Sequence, residues 1–329
     1  MRALFTLLTF LLVLVNGWTD APNAIACCVG TRSLSPSRAV MLAAISNFAG
    51  ATLMALLHTG VAETLFGLAD FGENPDLALR GLCAALLVVV LWGTVAWMFG
   101  LPTSESHALI SAMTGASLAL CGDASVIQGE EWSKVLWGLL LTTVPACLLG
   151  FLLNRLLQGL LRNAERRRAT TYFTRAQRFS AAGNAFLHGA QDSQKFMGVY
   201  LLGLSLFRGN GSFEGQIPLS LALAVSAVMS LGTLLGGSRI IKKIGCDLVE
   251  MDAVSGSVAD AASAASLLLC SLLGIPASTT HSKSSAMIGT GLCRKGRVDP
   301  SIAGQLLGAW GLTFPACGVL GFLLTRIIL

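Results

Sequence analysis

Apolar residues along this chain gather into ten runs separated by short polar links. The runs fall at approximately 2–30 (interrupted), 38–58, 78–99, 104–121, 134–157, 179–207 (interrupted), 216–236, 256–273, 281–293 and 303–327. Most approach the ~20 residues a helix needs to cross a bilayer. The run at 281–293 is short, and is expected either to be re-entrant or to span only together with its neighbour. Strand-length alternation of apolar and polar residues is absent. A β-barrel is therefore not expected, and helices are the remaining way to satisfy a backbone in lipid.

The links between runs alternate in charge. Basic residues fill 31–38 (Arg32, Arg38), 158–178 (Arg162, Arg166, Arg167, Arg168, Arg175, Arg178), 238–247 (Arg239, Lys242, Lys243) and 294–300 (Arg294, Lys295, Arg297). Acidic residues fill 59–77 (Glu63, Asp70, Glu73, Asp76) and 122–133 (Asp123, Glu130, Glu131). Because positive loops stay in the cytoplasm, this pattern predicts cytoplasmic 158–178 and both termini outside. The opening MRALFTLLTFLLVLVNG resembles a signal peptide, but no A-x-A-like cleavage site follows, so a retained first helix is expected.

The basic link also divides the chain. GLPTSESHALISAMTG from Gly100 and GIPASTTHSKSSAMIG from Gly274 share eight of sixteen residues at an offset of 174. NGWTDAPN around Asp20 matches HGAQDSQK around Asp192, and PACLLGFLL from Pro145 matches PACGVLGFLL from Pro315. Three blocks in one order indicate a duplicated half. The expected organisation is a first repeat at 1–157, a basic linker at 158–178 and a second repeat at 179–329. Five spans per half would insert the second copy upside down, the inverted repeat common in secondary transporters. Both copies of the polar phrase would then converge near the midplane, enclosed by protein.

These motifs have chemistry suited to ions. In NGWTDAPNA, Gly17 and Pro22 interrupt the helix, which frees carbonyls beside Thr19, Asp20 and Asn23. A carboxylate at membrane depth is costly and points to function; the alternative is a kinked helix with Asp20 in a structural hydrogen bond. HGAQDSQK repeats the amide and carboxylate groups in Gln191, Asp192 and Gln194. Its Lys195 contacts an anionic substrate or simply neutralises Asp192. In the polar phrases, Pro102 and Pro276 suit a first helical turn. Thr103, Ser104, Ser106 and Ser278, Thr279, Thr280 would sit at helix N-termini, which favour phosphate or sulfate. His107 and His281 are expected to be satisfied packing residues. Asp20, Glu105 and Asp192 face Lys195 and Lys283 in charge, and such groups must be paired, hydrated or protonated. Glu105 and Lys283 are either proton-coupling candidates or partners in an inert ion pair.

Composition narrows the class. Of 329 residues, 54% are hydrophobic and only 12% charged, against about a quarter charged in soluble domains. The net charge of +5 lies in links between runs, so it signals topology and not nucleic-acid binding. The nine cysteines lack zinc-ligand spacing and read as packing residues. Walker A, G-x-S-x-G and H-E-x-x-H phrases are all absent, so neither direct ATP drive nor these enzyme chemistries are expected.

The four motifs together, GWTDAPNA, HGAQDSQKFMG, GLPTSESH and GIPASTTH, resemble those of the inorganic phosphate transporter (PiT) family, in its bacterial form. The resemblance covers nearly the whole chain. It implies a symporter of inorganic phosphate with Na+ or H+ and no other cofactor, embedded in the bacterial inner membrane and commonly dimeric. Carried over, Asp20, Asn23 and Asp192 become coupling-cation ligands. Ser104, Ser106, Gln191, Gln194, Lys195, Ser278, Thr279 and Thr280 become substrate ligands. Thr19, Gln191, Lys195 and Glu105 depart from the family pattern, which leaves the coupling ion open. A sulfate permease on the same fold is the alternative, and an anion sensor or channel a more distant one.

Overall fold

The computed structural model describes all residues except 73, 209–214 and 294–297. Glu73, Arg294, Lys295 and Arg297 of the charged links therefore lie outside the described residues. Among those described, the chain is helical, with no strand beyond two isolated bridges.

Helix α1 (Arg2–Thr19) breaks at Asp20 and Ala21 before α2 (Pro22–Gly30) resumes. Pro22 explains the break, since it lacks the N–H that would continue the ladder. Next come α3 (Pro36–Leu57), the short α4 (Gly60–Phe66) and α5 (Pro75–Met98). Helix α6 (Glu105–Cys121) and the long α7 (Gly129–Leu160) complete the first half.

Helix α8 (Arg166–Arg208) runs unbroken through HGAQDSQK, which corrects the expected interruption of the sixth run. This copy contains no proline, and its Gly189 is packed against the Asn47 backbone of α3. Most of the expected 158–178 link is also helical, belonging to the ends of α7 and α8. Helices α9 (Leu219–Leu235) and α10 (Ser238–Lys242) are followed by a π-helical turn at Lys243–Leu248. The second half closes with α11 (Ala253–Leu272), α12 (Thr279–Leu292) and α13 (Pro300–Ile328).

Among the described residues, six helical segments are long and apolar enough to cross a membrane, and the bent pair around Gly236 and Gly237 makes a seventh. Three of the ten expected runs do not meet that measure. Helices α6 and α12 are 17 and 14 residues long and almost wholly buried, while α8 carries too many polar residues. On α7, Leu136, Leu140, Leu148, Leu152 and Leu156 are exposed along one side, as a lipid-facing stripe requires.

The halves interlock. Helix α6 packs on α13, and α12 packs on α7, so each short buried helix lies against a long helix of the other half. Both contacts use glycine in the same way. A Cβ at Gly115 would strike the Gly318 carbonyl, and one at Gly321 the Ala112 carbonyl. Gly289 meets the Cys147 carbonyl and Gly150 the Ala286 carbonyl. Small residues let backbones approach where water supplies no drive between helices. This packing brings the starts of α6 and α12 together in the interior.

Candidate functional site

The two polar phrases fold alike. Gly100 and Gly274 end the preceding segments with φ of 65° and 66°, a left-handed conformation that glycine adopts without penalty. Ser104 and Ser278 then cap α6 and α12, accepting from the backbone N–H groups of His107 and His281 at 3.3 Å each. Pro102 and Pro276 lie two residues before these caps, not in the first turn, because the glycine reversal leaves an extended link there. The caps place Glu105, Ser106, Thr279 and Thr280 in the first turn of each helix, all buried.

The break between α1 and α2 presents Asp20 to this pair of helix starts. Thr279 Oγ1 donates to Asp20 Oδ2 at 3.2 Å, and Thr280 Oγ1 donates to Asp20 Oδ1. Asn23 Nδ2 donates to Asp20 Oδ1 at 2.7 Å and to Thr280 Oγ1 at 3.2 Å. The first carboxylate motif thus meets the second polar phrase.

The second motif meets both phrases. Lys195 Nζ donates to Ser106 Oγ at 2.6 Å and to Asp192 Oδ1 at 2.7 Å, and also to the Ala277 carbonyl. Gln191 Oε1 accepts from Ala277 N at 3.1 Å. Asn16 Nδ2 donates to Asp192 Oδ2 at 3.1 Å, which ties α1 to α8. Gln194 is buried, and neither its amide nitrogen nor its amide oxygen has a hydrogen-bond partner among the described residues. Nearly all the residues expected at the site, Asp20, Asn23, Ser104, Ser106, Gln191, Asp192, Gln194, Lys195, Ser278, Thr279 and Thr280, are thus buried around the starts of α6 and α12 or on the α8 face packed against them.

Glu105 and Lys283 do not pair. Thr19 Oγ1 donates to Glu105 Oε1, and Glu105 Oε2 has no hydrogen-bond partner among the described residues. Lys283 instead pairs with Asp260 on α11. Asp260 was not among the residues expected to act. It lies in an apolar run, which was a usable signal, but it falls outside the duplicated motifs. His188 was also missed as a participant. One turn before Asp192 on α8, its Nε2 lies 3.4 Å from Asp192 Oδ2. Ligand atoms of Asp20, His188 and Asp192 all lie within 4.8 Å of one another, a spacing that admits a cation between them.

The two histidines of the phrases pack on each other, with ring centroids 4.6 Å apart. Phe314 stacks on His107, and Trp310 lies against His281. Packing is as expected, but satisfaction is not, since His107 Nδ1 and both nitrogens of His281 lack hydrogen-bond partners.

Comparison with known proteins points in one direction. A family model described as the phosphate transporter family matches residues 16–321. The chain is 33% identical over 311 residues to a Bacillus subtilis protein named "Probable low-affinity inorganic phosphate transporter", covering 93% of this chain and 91% of that one. A protein of the same name from Rhizobium meliloti is 36% identical over 312 residues, with 94% and 91% covered. A solved structure titled "The sodium-dependent phosphate transporter" superposes with a TM-score of 0.87 at 19% identity, covering 99% of this chain and 98% of that one; at that identity the likeness concerns the fold. The chain belongs to the phosphate transporter family, a family of transporters and not of enzymes.

Proposed function

We propose that this protein is a secondary symporter that carries inorganic phosphate with a cation, Na+ or H+, through a site near the membrane midplane. The site lies between two inverted repeats, each contributing one carboxylate motif and one capped polar phrase. The observation that carries this reading is their convergence: Asp20 of the first half is held by Thr279 and Thr280 of the second, and Lys195 of the second half by Ser106 of the first.

The donor set suits both solutes. Asp20, Asn23 and Asp192 supply the hard oxygens an alkali cation prefers, and His188 completes their cluster. Lys195, the hydroxyls of Ser104, Ser106, Ser278, Thr279 and Thr280, and the amides of Gln191 and Gln194 supply groups for a tetrahedral oxyanion at two helix N-termini. Charge explains the coupling. Asp20, Asp192 and Glu105 outnumber Lys195, so an anion enters only with a compensating cation or proton. Glu105, with one oxygen unpartnered, is the proton carrier in the H+ case.

In this reading the chain is a multi-pass protein of the bacterial inner membrane with both termini outside, and it functions as a homodimer. Uptake of labelled phosphate and sulfate into proteoliposomes, under separate Na+ and H+ gradients, tests it. Gradient-driven accumulation of phosphate in preference to sulfate is expected. Equal or greater sulfate uptake makes it a sulfate permease, and uptake indifferent to both gradients makes it a channel.

A further inference from the structure

One helical turn beyond Asp20, α2 and α12 meet again. Residues four positions on from Asp20 and from Thr279 are Ala24 and Lys283. Lys283 Nζ donates to the Ala24 carbonyl at 3.1 Å and pairs with the Asp260 carboxylate of α11. The side chains of Lys283 and Asp260 are 1% and 0% exposed, so bulk solvent does not reach this contact. Beside the pair lie the Cys27 thiol and the Gln177 side chain, both of which approach the Asp260 carboxylate.

Two layers therefore stack between α2 and α12. In the first, the Asp20 carboxylate gathers neutral hydroxyls and an amide, and its negative charge is left for something outside the chain to offset. In the second, a carboxylate and a backbone carbonyl gather around an ammonium that the chain itself supplies. A buried carboxylate with a carbonyl is the donor set of an alkali-cation site, and a lysine ammonium is a compact point charge able to stand in such a set.

We infer that Asp260 and the Ala24 carbonyl form a second cation site, filled permanently in cis by Lys283. The inference extends the transport reading above: the Asp20 layer exchanges its cation and the Asp260 layer does not. Lys283 is then a positioning residue, holding α12, and with it Thr279 and Thr280, in register with α2. It does not carry a proton to the substrate.

Removing the side chain tests this by opening the site to an external cation. Lys283→Ala deletes three carbons and the nitrogen, the volume of n-propylammonium. Thermal unfolding of purified wild type, Lys283→Ala and the double variant Asp260→Asn/Lys283→Ala is followed in choline, then with n-propylammonium. Lys283→Ala is expected to melt about 10 °C below wild type in choline, because it strands a buried charge. Propylammonium should restore about half of that loss. Wild type and the double variant should not respond to the amine. No response in Lys283→Ala, or an equal response in the double variant, overturns the inference. Should Lys283→Ala not survive purification in choline, purification in propylammonium decides the matter: recovery there supports the site, and failure there contradicts it. Phosphate takes no part in this measurement, so its result stands apart from that of the uptake experiment.

Discussion

Lys195 Nζ and Ser106 Oγ lie 2.6 Å apart although 89 residues separate them in the chain. The contact joins the second carboxylate motif to the first polar phrase. It places a buried ammonium at the start of α6, beside a carboxylate that it neutralises. On the transport reading proposed above, a phosphate entering there would meet a charge already desolvated, whose Asp192 partner limits the penalty.

Loss of that hydroxyl should weaken substrate binding without unfolding the protein. Ser106→Ala leaves Lys195 with Asp192 and the Ala277 carbonyl. A charge-assisted hydrogen bond contributes about 1.5–3 kcal/mol, so the apparent KM for phosphate should rise roughly tenfold or more. Concentration-dependent uptake measures it. An unchanged KM would remove Ser106 from the substrate site.

The interlocked packing makes a sharper structural prediction. Gly289→Ala forces a methyl against the Cys147 carbonyl, whereas Gly159 has open space around it. Overpacking of this kind costs about 1–3 kcal/mol. Gly289→Ala should lower the melting temperature and Gly159→Ala should not. Equal behaviour of the two would mean that α12 and α7 are not in backbone contact.

Much of this was legible from the chain. The apolar runs correspond to most of the helices, and the twofold G-x-P-x-S-x-x-H phrase put Ser104 and Ser278 at equivalent helix starts; that both cap those helices is seen only in the structure. Pro22 marked a break at Asp20, where the structure has one. The same logic failed at HGAQDSQK, because similarity to a broken segment is not a proline, and a tightly packed Gly189 leaves α8 intact. Asp260 lies outside the duplicated motifs, so the repeat does not mark it. Its partnership with Lys283 depends on α11 meeting α12, which no local pattern encodes. The alternative of a Glu105–Lys283 ion pair fails for the same reason: opposite charge says nothing about which helices are adjacent.

Orientation rests on loop charge, and site-directed labelling tests it. Thr170 and Ser125 are both exposed. Cysteines placed there, in a background lacking the native nine, should react with an impermeant reagent from opposite sides of the membrane. Labelling from the same side would contradict the inverted repeat.

The coupling ion is addressed by replacing sodium with choline at fixed pH. Glu105 keeps one unpartnered oxygen beside Thr19, and Lys195 already offsets Asp192. Concentrative uptake should persist in choline under a proton gradient and be lost in Glu105→Gln. Complete loss in wild type, restored by added sodium, would instead make sodium the coupling ion and leave Glu105 a structural partner of Thr19.

In the proposed mechanism, the cluster joining the two halves at Asp20 and Asp192 couples cation and phosphate. Its most direct test is gradient-driven uptake of labelled phosphate by Asp20→Asn and Asp192→Asn, reconstituted at wild-type levels and shown by gel filtration to be folded. Neutral amides keep the shape; at Asp20 they remove the charge left for a cation or proton to offset, and at Asp192 they remove the partner of Lys195. Uptake should fall to the background of protein-free liposomes in both variants. Accumulation near the wild-type rate in either would contradict the mechanism and reduce that carboxylate to a packing role.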